Sequence, residues 1–142
     1  MTTPVPGLAS LPTRDAILAA LTADAPLMSL TEGVFDWVPE KQPYPYINLG
    51  ESFEVPDNAH DRYGAQVLQT LHVWSKYRGY AQAVTIAQRI ILVLDHTPLV
   101  IDGHVHKWTR FVSMQTLTDP EPPGDIRHVP MTFRIGTEVD PA

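Results

Sequence analysis

The chain has 142 residues, the usual size of one domain, and 44% of them are apolar, which is enough for one core. Its formal net charge of −6 argues against a nucleic-acid clamp, which needs a basic stripe to neutralise phosphates. The chain has no cysteine, which excludes disulfides, thiolate zinc sites and cysteine nucleophiles.

Other features of the composition bound where the protein works. Charged residues make up 18% of the chain, below the roughly 25% of an average domain, which favours a surface partly covered by partners. The longest apolar run, residues 90–94, is far shorter than the ~20 residues that span a bilayer, and the first residues lack the features of a secretory signal. We therefore expect no membrane contact, and a protein made in a cytosol-like compartment or carried in a particle assembled there.

The first residues predict an arm followed by a helix. Residues 1–13 are rich in proline, which predicts an extended N-terminal arm. Thr13 is a suitable N-cap for a helix over residues 14–21, where apolar side chains recur at helical spacing. Pro26 ends this helix.

The next part of the chain predicts strands. Residues 34–37 and 46–52 form two candidates, and residues 53–64 are polar and turn-rich, which predicts a long loop. Residues 65–76 alternate with apolar side chains on both faces, so this strand is expected at the centre of a sheet. One face carries Val67, Gln69, Leu71 and Val73, and the other carries Leu68, Thr70, His72 and Trp74.

A second helix and three further strands follow. Helical spacing over residues 79–95 predicts a buried stripe of Tyr80, Ala83, Val84, Ala87, Ile91 and Leu94. The Asp102-Gly103 pair predicts a hairpin that joins a strand at residues 99–101 to the next one. The last two strands are expected at residues 108–117 and 126–139, and Pro130 predicts that the final strand is an edge or carries a bulge.

These elements predict a single α+β domain over residues 1–142. We expect an antiparallel β-sheet of four to five strands, with two α-helices packed on one face. No internal repeat or domain boundary is visible in the sequence.

Residues that could carry chemistry are few. His104 and His106 lie on one face of a strand at ligand-like spacing, but a metal would need further donors and only Asp102 is near. Ser75, His72 and Asp61 are the residue types of a hydrolase triad, yet no nucleophile elbow surrounds Ser75. The eight glycines are scattered, so no phosphate loop is present. We expect no catalytic residue and no cofactor.

Several segments, in this order along the chain, resemble the tail-completion family of tailed bacteriophages and gene-transfer agents. They are the helix at 16–21, the segment 33–39, the motif YPYINLGE at 44–51, the strand-corner-helix block at 68–95 and the terminal strands with 116–120 and 131–134. Each is weak alone, whereas their order and spacing together are specific. Residues 121–124 are a proline-rich insertion that departs from the family pattern.

The resemblance implies a structural virion protein without catalytic residues. It implies a homo-oligomeric ring, usually a hexamer, that caps the tail tube and meets the head–tail connector or neck proteins. DNA would pass through the lumen without specific binding, and the protein would belong to the tail or neck of the virion.

Two polar loops, at residues 53–64 and 118–125, are the predicted contacts with neighbouring subunits, the tube or the connector. Their polar residues are Glu54, Asp57, Asn58, Asp61, Arg62, Asp119, Glu121 and Asp125. Two alternatives stay open at this point. One is a different neck or tail-tube subunit, and the other is a small metal-dependent hydrolase that uses His104 and His106.

Overall fold

The computed structural model describes residues 7–120 and 125–140, which form one sheet and three helices. In chain order the elements are α1 (Ser10–Thr22), α2 (Ala25–Leu30), β1 (Val34–Phe35), β2 (Tyr46–Pro56), β3 (Gly64–Lys76), α3 (Ala81–Leu94), β4 (His104–Met114), β5 (Leu117–Thr118) and β6 (Ile126–Val139). The strands lie in the order β1-β2-β3-β6-β4, and β5 also pairs with β6. Only the β1–β2 pair is parallel. The predicted α+β class is confirmed, and the two-residue strands β1 and β5 bring the count to six.

The core lies between the helices and one face of this sheet. On β3 every second side chain is buried, as the sequence predicts. Strand β6 adds buried side chains that point to the same side of the sheet. These core residues are Val67, Gln69, Leu71, Val73, Val129, Met131, Phe133 and Ile135. The predicted central position of β3 is also confirmed, since β2 and β6 flank it.

Helix α3 is the main cover of the sheet. Its buried residues are Ala83, Ile86, Ala87, Ile90 and Leu94, whereas Val84 is 38% exposed. The predicted stripe was therefore partly wrong, because the i, i+3, i+4, i+7 row that faces the sheet runs through Ile86 and Ile90. None of the described helices has the length and hydropathy that a bilayer span requires.

Helix α1 begins earlier than predicted. Residues 10–13, expected in the extended arm, form its first turn, and Thr13 is buried inside the helix instead of capping it. The cap comes from β2, where the Glu54 carboxylate accepts hydrogen bonds from the backbone N–H groups of Ala9 and Ser10 at 2.9 and 3.0 Å. A cap so distant in sequence satisfies orphan donors that no local side chain reaches.

Pro26 does more than end α1, because it lies in the first turn of α2. Asp24 is the N-cap of α2 and accepts from the Leu27 N–H at 3.0 Å. Both oxygens of Asp24 also accept from the Arg89 guanidinium at 2.8 Å, which ties α2 to α3. This hydrogen bonding by Arg89 holds the pKa of Asp24 below its ordinary value.

The loop between β2 and β3 is shorter than predicted. Residues 53–56 are strand rather than loop, and β3 starts at Gly64, so the connection is residues 57–63. A bulge between Leu49 and Ser52 shifts the register of β2, which places Phe53 opposite Leu68. This pairing with β3 holds a polar segment that sequence alone assigns to a loop.

Strand β6 is not an edge strand, which corrects the expectation from Pro130. It pairs with β3 on one side and with β4 and β5 on the other. The Pro130 carbonyl accepts from the Gln115 N–H at 3.1 Å, at the interruption between β4 and β5. Since N and C=O of one strand residue point to the same side, the missing donor also points at this interruption.

The predicted strand at residues 99–101 is absent from the sheet. Leu99 and Ile101 are buried in the core instead, and β4 takes β6 as its partner. The turn at Asp102-Gly103 does form, with Gly103 at φ 73°, a conformation that glycine adopts without strain.

Candidate assembly surfaces

The face of the sheet opposite the helices is not covered by any described element. We call it the open face. Its side chains form cross-strand rows, because β3 and β6 pair without a register shift and β2 and β4 pair with them on either side, interrupted only by bulges. Two rows carry unusual chemistry, one near the Lys76 end of β3 and one nearer its Gly64 end. A polar row of Thr70, Thr132 and Ser113 separates them.

The first of these we call the imidazole cluster, made of Glu51, His72, Trp74 and His128. The ring of His128 stacks on Trp74, with centroids 3.9 Å apart and an interplanar angle of 4°. His72 Nδ1 and His128 Nε2 lie 2.6 Å apart, and His72 Nε2 lies 3.6 Å from Glu51 Oε2. Trp74 Nε1–H donates to Asn48 Oδ1 at 2.9 Å. The cluster is a hydrogen-bonded, stacked array that rigidifies three neighbouring strands.

Burial lowers the pKa of His128, and the nearby His72 lowers it further, whereas Glu51 opposes the shift. His128 is therefore neutral at pH 7. One ring nitrogen of the histidine pair donates and the other accepts, so a single proton lies between them.

The sheet itself excludes the triad that the residue types suggested. Ser75 is buried on the helix side of β3, where its hydroxyl donates to Gln82 Oε1. His72 lies on the open face of the same strand, and Asp61 lies in the 57–63 loop. The backbone of β3 thus separates the hydroxyl from the imidazole.

The second row we call the arginine row, made of Phe53, Leu68, Arg134 and Arg110. These residues pair directly across β2, β3, β6 and β4. Phe53 is 63% exposed, and both arginines are exposed. The Arg110 guanidinium lies 4.9 Å above the Trp108 ring centroid, and that ring lies against Gly136, where a Cβ atom would come within 2.4 Å of it. Trp108 is thus a platform for Arg110.

The edge of the sheet at β4 is blocked to further strands in its middle. In its middle, the Thr109 carbonyl accepts from the His96 N–H at 2.9 Å, and the Phe111 N–H donates to Asp95 Oδ1 at 2.8 Å. These contacts occupy backbone groups that an added strand would need. Beyond the opposite edge, Trp37 follows β1 and is 81% exposed.

The predicted contact residues of the first loop mostly hold the loop together. Asp57 Oδ2 accepts from Gln66 at 3.2 Å, and Asn58 Oδ1 accepts from the Gly64 N–H at 3.1 Å. Arg62 binds Asp61 at 3.2 Å and Glu138 at 3.0 Å. Glu54 belongs to β2 and caps α1, so its carboxylate serves the fold.

The second loop is held to the sheet at both ends. The Asp119 N–H donates to the Ile126 carbonyl at 2.9 Å, and the Asp125 carbonyl accepts from the Tyr77 N–H at 2.8 Å. Glu121, with the rest of residues 121–124, lies outside the described part of the chain.

The structure offers no geometry for the metal-dependent alternative. His104 Nδ1 lies 2.9 Å from the Asp102 carbonyl, and His106 Nε2 lies 2.6 Å from Thr109 Oγ1. Burial lowers the pKa of His106. Among residues 7–120 and 125–140, no three His, Asp or Glu side chains are grouped as metal ligands.

A cleft of about 410 Å³ lies between the start of α1 and the β2–β3 hairpin. Its lining includes Leu8, Pro56, Tyr63 and Ala65, and Glu54 is the one carboxylate among the described residues that line it. The Glu54 carboxylate is engaged with the start of α1, so it serves the fold and is not free for acid–base chemistry in this cleft.

The sequence matches the family described as tail completion protein gp17 over residues 15–138. The chain belongs to this family. It is also 27% identical over 114 residues to the tail completion protein gp17 of Bacillus phage SPP1, a match that covers 80% of this chain and 84% of that protein.

Two solved structures are similar to this fold. One is a chain in the virion of the native gene transfer agent particle, with a TM-score of 0.83, 23% identity and coverage of 94% of this chain and 99% of that one. The other is the bacteriophage SPP1 gp17 protein, with a TM-score of 0.59, 26% identity and coverage of 92% and 95%. The first supports the fold alone, and the second agrees with the family assignment.

This gp17-family protein is a structural component of phage-type virion tails and not an enzyme. The resemblance predicted from the sequence motifs is confirmed. Sequence reasoning missed the imidazole cluster and the arginine row. Alternation along β3 predicted that Leu68, His72 and Trp74 share one face. No local sequence pattern predicts which residues of β6 and β4 lie beside them.

Proposed function

We propose that this protein is a tail terminator. In this proposal a homo-oligomeric ring, hexameric as the resemblance implies, caps the tail tube and joins it to the head–tail connector. DNA passes through the lumen without specific binding. The proposal rests on the family. One observation in the structure favours a subunit that joins two different structures over a tube subunit that stacks in many identical rings.

That observation is the placement of the two predicted contact loops at opposite ends of the sheet. The 57–63 loop adjoins Gly64, where β3 begins, and Asp125 precedes Ile126, which pairs with Lys76, where β3 ends. At roughly 3.3 Å per residue, β3 separates the two ends by about 40 Å. A subunit that joins two different structures needs two distant contact surfaces on a rigid body, and this strand supplies them.

Charge supports the conduit part of the proposal. A net charge of −6 gives the ring a field that repels the DNA backbone, so that DNA slides without binding. A ring that clamped DNA would carry the opposite charge along its lumen.

Cyclic rings use heterologous contacts, in which two different surfaces of one subunit meet. The open face is one candidate surface. Exposed apolar side chains on the helix side and beyond β1 are the other, among them Leu11 and Leu92, each more than 60% exposed, and Trp37. Exposed apolar side chains do not stabilise an isolated domain, and a patch of them is typical of a surface that binds another subunit.

Electron microscopy of particles that carry a labelled copy of this chain tests the proposal. A terminator appears as a single ring between tube and connector, and particles without the protein carry tails of uncontrolled length. Many stacked rings of this chain would instead make it a tube subunit, and a position away from the neck would refute the joining role.

A further inference from the structure

We propose that Arg110 and Arg134 form the receptor for carboxylate side chains of a second copy of this chain. This inference rests on the proposed ring and names the chemistry of its subunit contact. The arginine row supplies one side of that contact, and the acidic surface of the neighbouring copy supplies the other.

Two positive charges lie side by side in the arginine row. Arg110 and Arg134 are directly opposite each other on β4 and β6, and both project from the open face. Directly paired residues on one face have Cβ atoms roughly 5 Å apart, and like charges at this distance destabilise the sheet. A folded chain that keeps such a pair has a use for it outside its own stability.

Arg110 and Arg134 lack a counter-charge among the described residues. Neither arginine forms an ion pair with any carboxylate of residues 7–120 and 125–140, whereas three other arginines do. Arg14 binds Asp36, Arg62 binds Glu138 and Arg89 binds Asp24. The fold thus neutralises those three cations within the chain and leaves the opposed pair to an outside carboxylate.

The Arg110 side chain is preorganised for binding. The stacking of Arg110 on Trp108, itself packed against Gly136, restricts the guanidinium before any partner arrives. A stacked, planar guanidinium binds a carboxylate through two parallel hydrogen bonds at a low entropic cost. Arginine and tryptophan beside an exposed phenylalanine, Phe53, are the residue types of interface hot spots.

Charge complementarity identifies the partner of the arginine pair as a second copy of this chain. The chain has 16 acidic against 10 basic residues, so a second copy is rich in carboxylates. Asp15, Glu32 and Glu40 are exposed and form no ion pair among the described residues. Asp15 lies on α1, and Glu32 and Glu40 flank β1, at the edge of the sheet opposite β4. Two copies can therefore complement each other head to tail, the arrangement that closes rings. Duplex DNA is disfavoured because two cations form no stripe.

The experiment uses assembled particles, in which the chain is a structural component. One strain carries Arg110→Gln with Arg134→Gln, and the matched control carries Lys41→Gln with Arg78→Gln, two exposed cations outside the arginine row. We expect the first variant to leave about tenfold fewer copies per particle than the control, as measured by quantitative mass spectrometry. Its thermal midpoint should be equal to that of the wild type or higher, because the opposed charges are gone.

A third variant, Arg110→Lys with Arg134→Lys, identifies the partner. Particles assembled from a mixture of isotope-labelled and unlabelled copies are treated with a carbodiimide, which joins an amine to a carboxylate without a spacer. We expect cross-links from position 110 or 134 to a carboxylate of another copy. Unchanged copy numbers in the glutamine variant, or cross-links only within one copy or to a different virion protein, would overturn the proposal. Loss of packaged DNA with normal copy numbers would overturn it as well.

This outcome is distinguishable from a failure of the proposed function. If a ring is found at the neck but the glutamine variant assembles normally, only the proposed arginine contact is refuted. Copies joined through the arginine row but located elsewhere in the particle refute only the terminator role.

Discussion

At the scale of single residues, two histidines couple stability to pH. Burial lowers the pKa of both His128 and His106. Below the ordinary histidine pKa of about 6.5, the unfolded chain binds protons that the folded chain does not. The stability that these two neutral rings contribute is therefore complete above about pH 6.5. It is lost as the pH falls through the lower pKa values that the two histidines have in the folded chain.

We accordingly predict that the free energy of unfolding decreases from pH 7 to pH 5, as measured by urea denaturation at several pH values. In the double variant His106→Asn with His128→Asn, this decrease should be smaller. The variant His60→Asn, which removes an exposed histidine of the 57–63 loop, is the control. Equal slopes in the double variant and the wild type would contradict the assignment to these two rings.

A second residue-scale prediction concerns Gly136 and Trp108. A methyl group at position 136 would come within 2.4 Å of the Trp108 ring, so that ring must move. We expect Gly136→Ala to destabilise the fold by about 1–3 kcal/mol, as overpacking does. In a Trp108→Ala background the same change should cost much less, and a double-mutant cycle measures the difference. Additive effects would show that the ring and the glycine are not coupled.

At the scale of elements, helix α3 binds the sheet through one side only. Ile90 is fully buried, whereas Leu92, two residues further on, is 62% exposed. Truncation of a buried isoleucine removes apolar contacts and leaves a cavity, which typically costs about 2–5 kcal/mol. An exposed leucine has little burial to lose, since surface substitutions usually stay within about 0.5 kcal/mol.

We predict that Ile90→Ala lowers the free energy of unfolding by an amount in that range and that Leu92→Ala leaves it nearly unchanged. Chemical denaturation of the two variants beside the wild type gives both numbers. A large loss from Leu92→Ala in the isolated chain would mean that the helix is rotated relative to the arrangement described. Reduced particle assembly by that variant with normal stability would instead mark an interface.

At the scale of the whole molecule, the two loops that we predict as contacts lie about 40 Å apart at opposite ends of β3. We predict that charge reversal at each end gives a different assembly defect. Asp61→Arg and Asp119→Arg should each reduce complete particles by about tenfold, one at the step of joining to the tube and the other at the connector. Electron microscopy separates unterminated tails from tails without heads.

The control for this prediction is Gln88→Ala, on the exposed side of α3. The thermal midpoints of all three variants should match that of the wild type within a few degrees, which excludes misfolding as the cause. If both loop variants cause the same defect, or if neither causes one, the two-ended joining role is wrong.

The sequence by itself determined the class of fold, the central strand and the two faces of that strand. Periodicity is a local property, so the alternation over β3 and the spacing in α3 indicate which side chains leave water. It also determined the family, because the motifs lie in order along one chain. Local patterns did not determine the early start of α1, since its cap comes from Glu54 on another element.

Only the tertiary structure decided which side chains meet on the open face. His128 lies on Trp74 and Arg134 lies beside Arg110 because β6 enters the sheet between β3 and β4. Strand pairing of this kind depends on packing among segments far apart in sequence, and no local pattern records it. The same pairing places β6 inside the sheet although it contains Pro130. The N–H group that Pro130 lacks would point at the gap between β4 and β5, so no ladder hydrogen bond is lost.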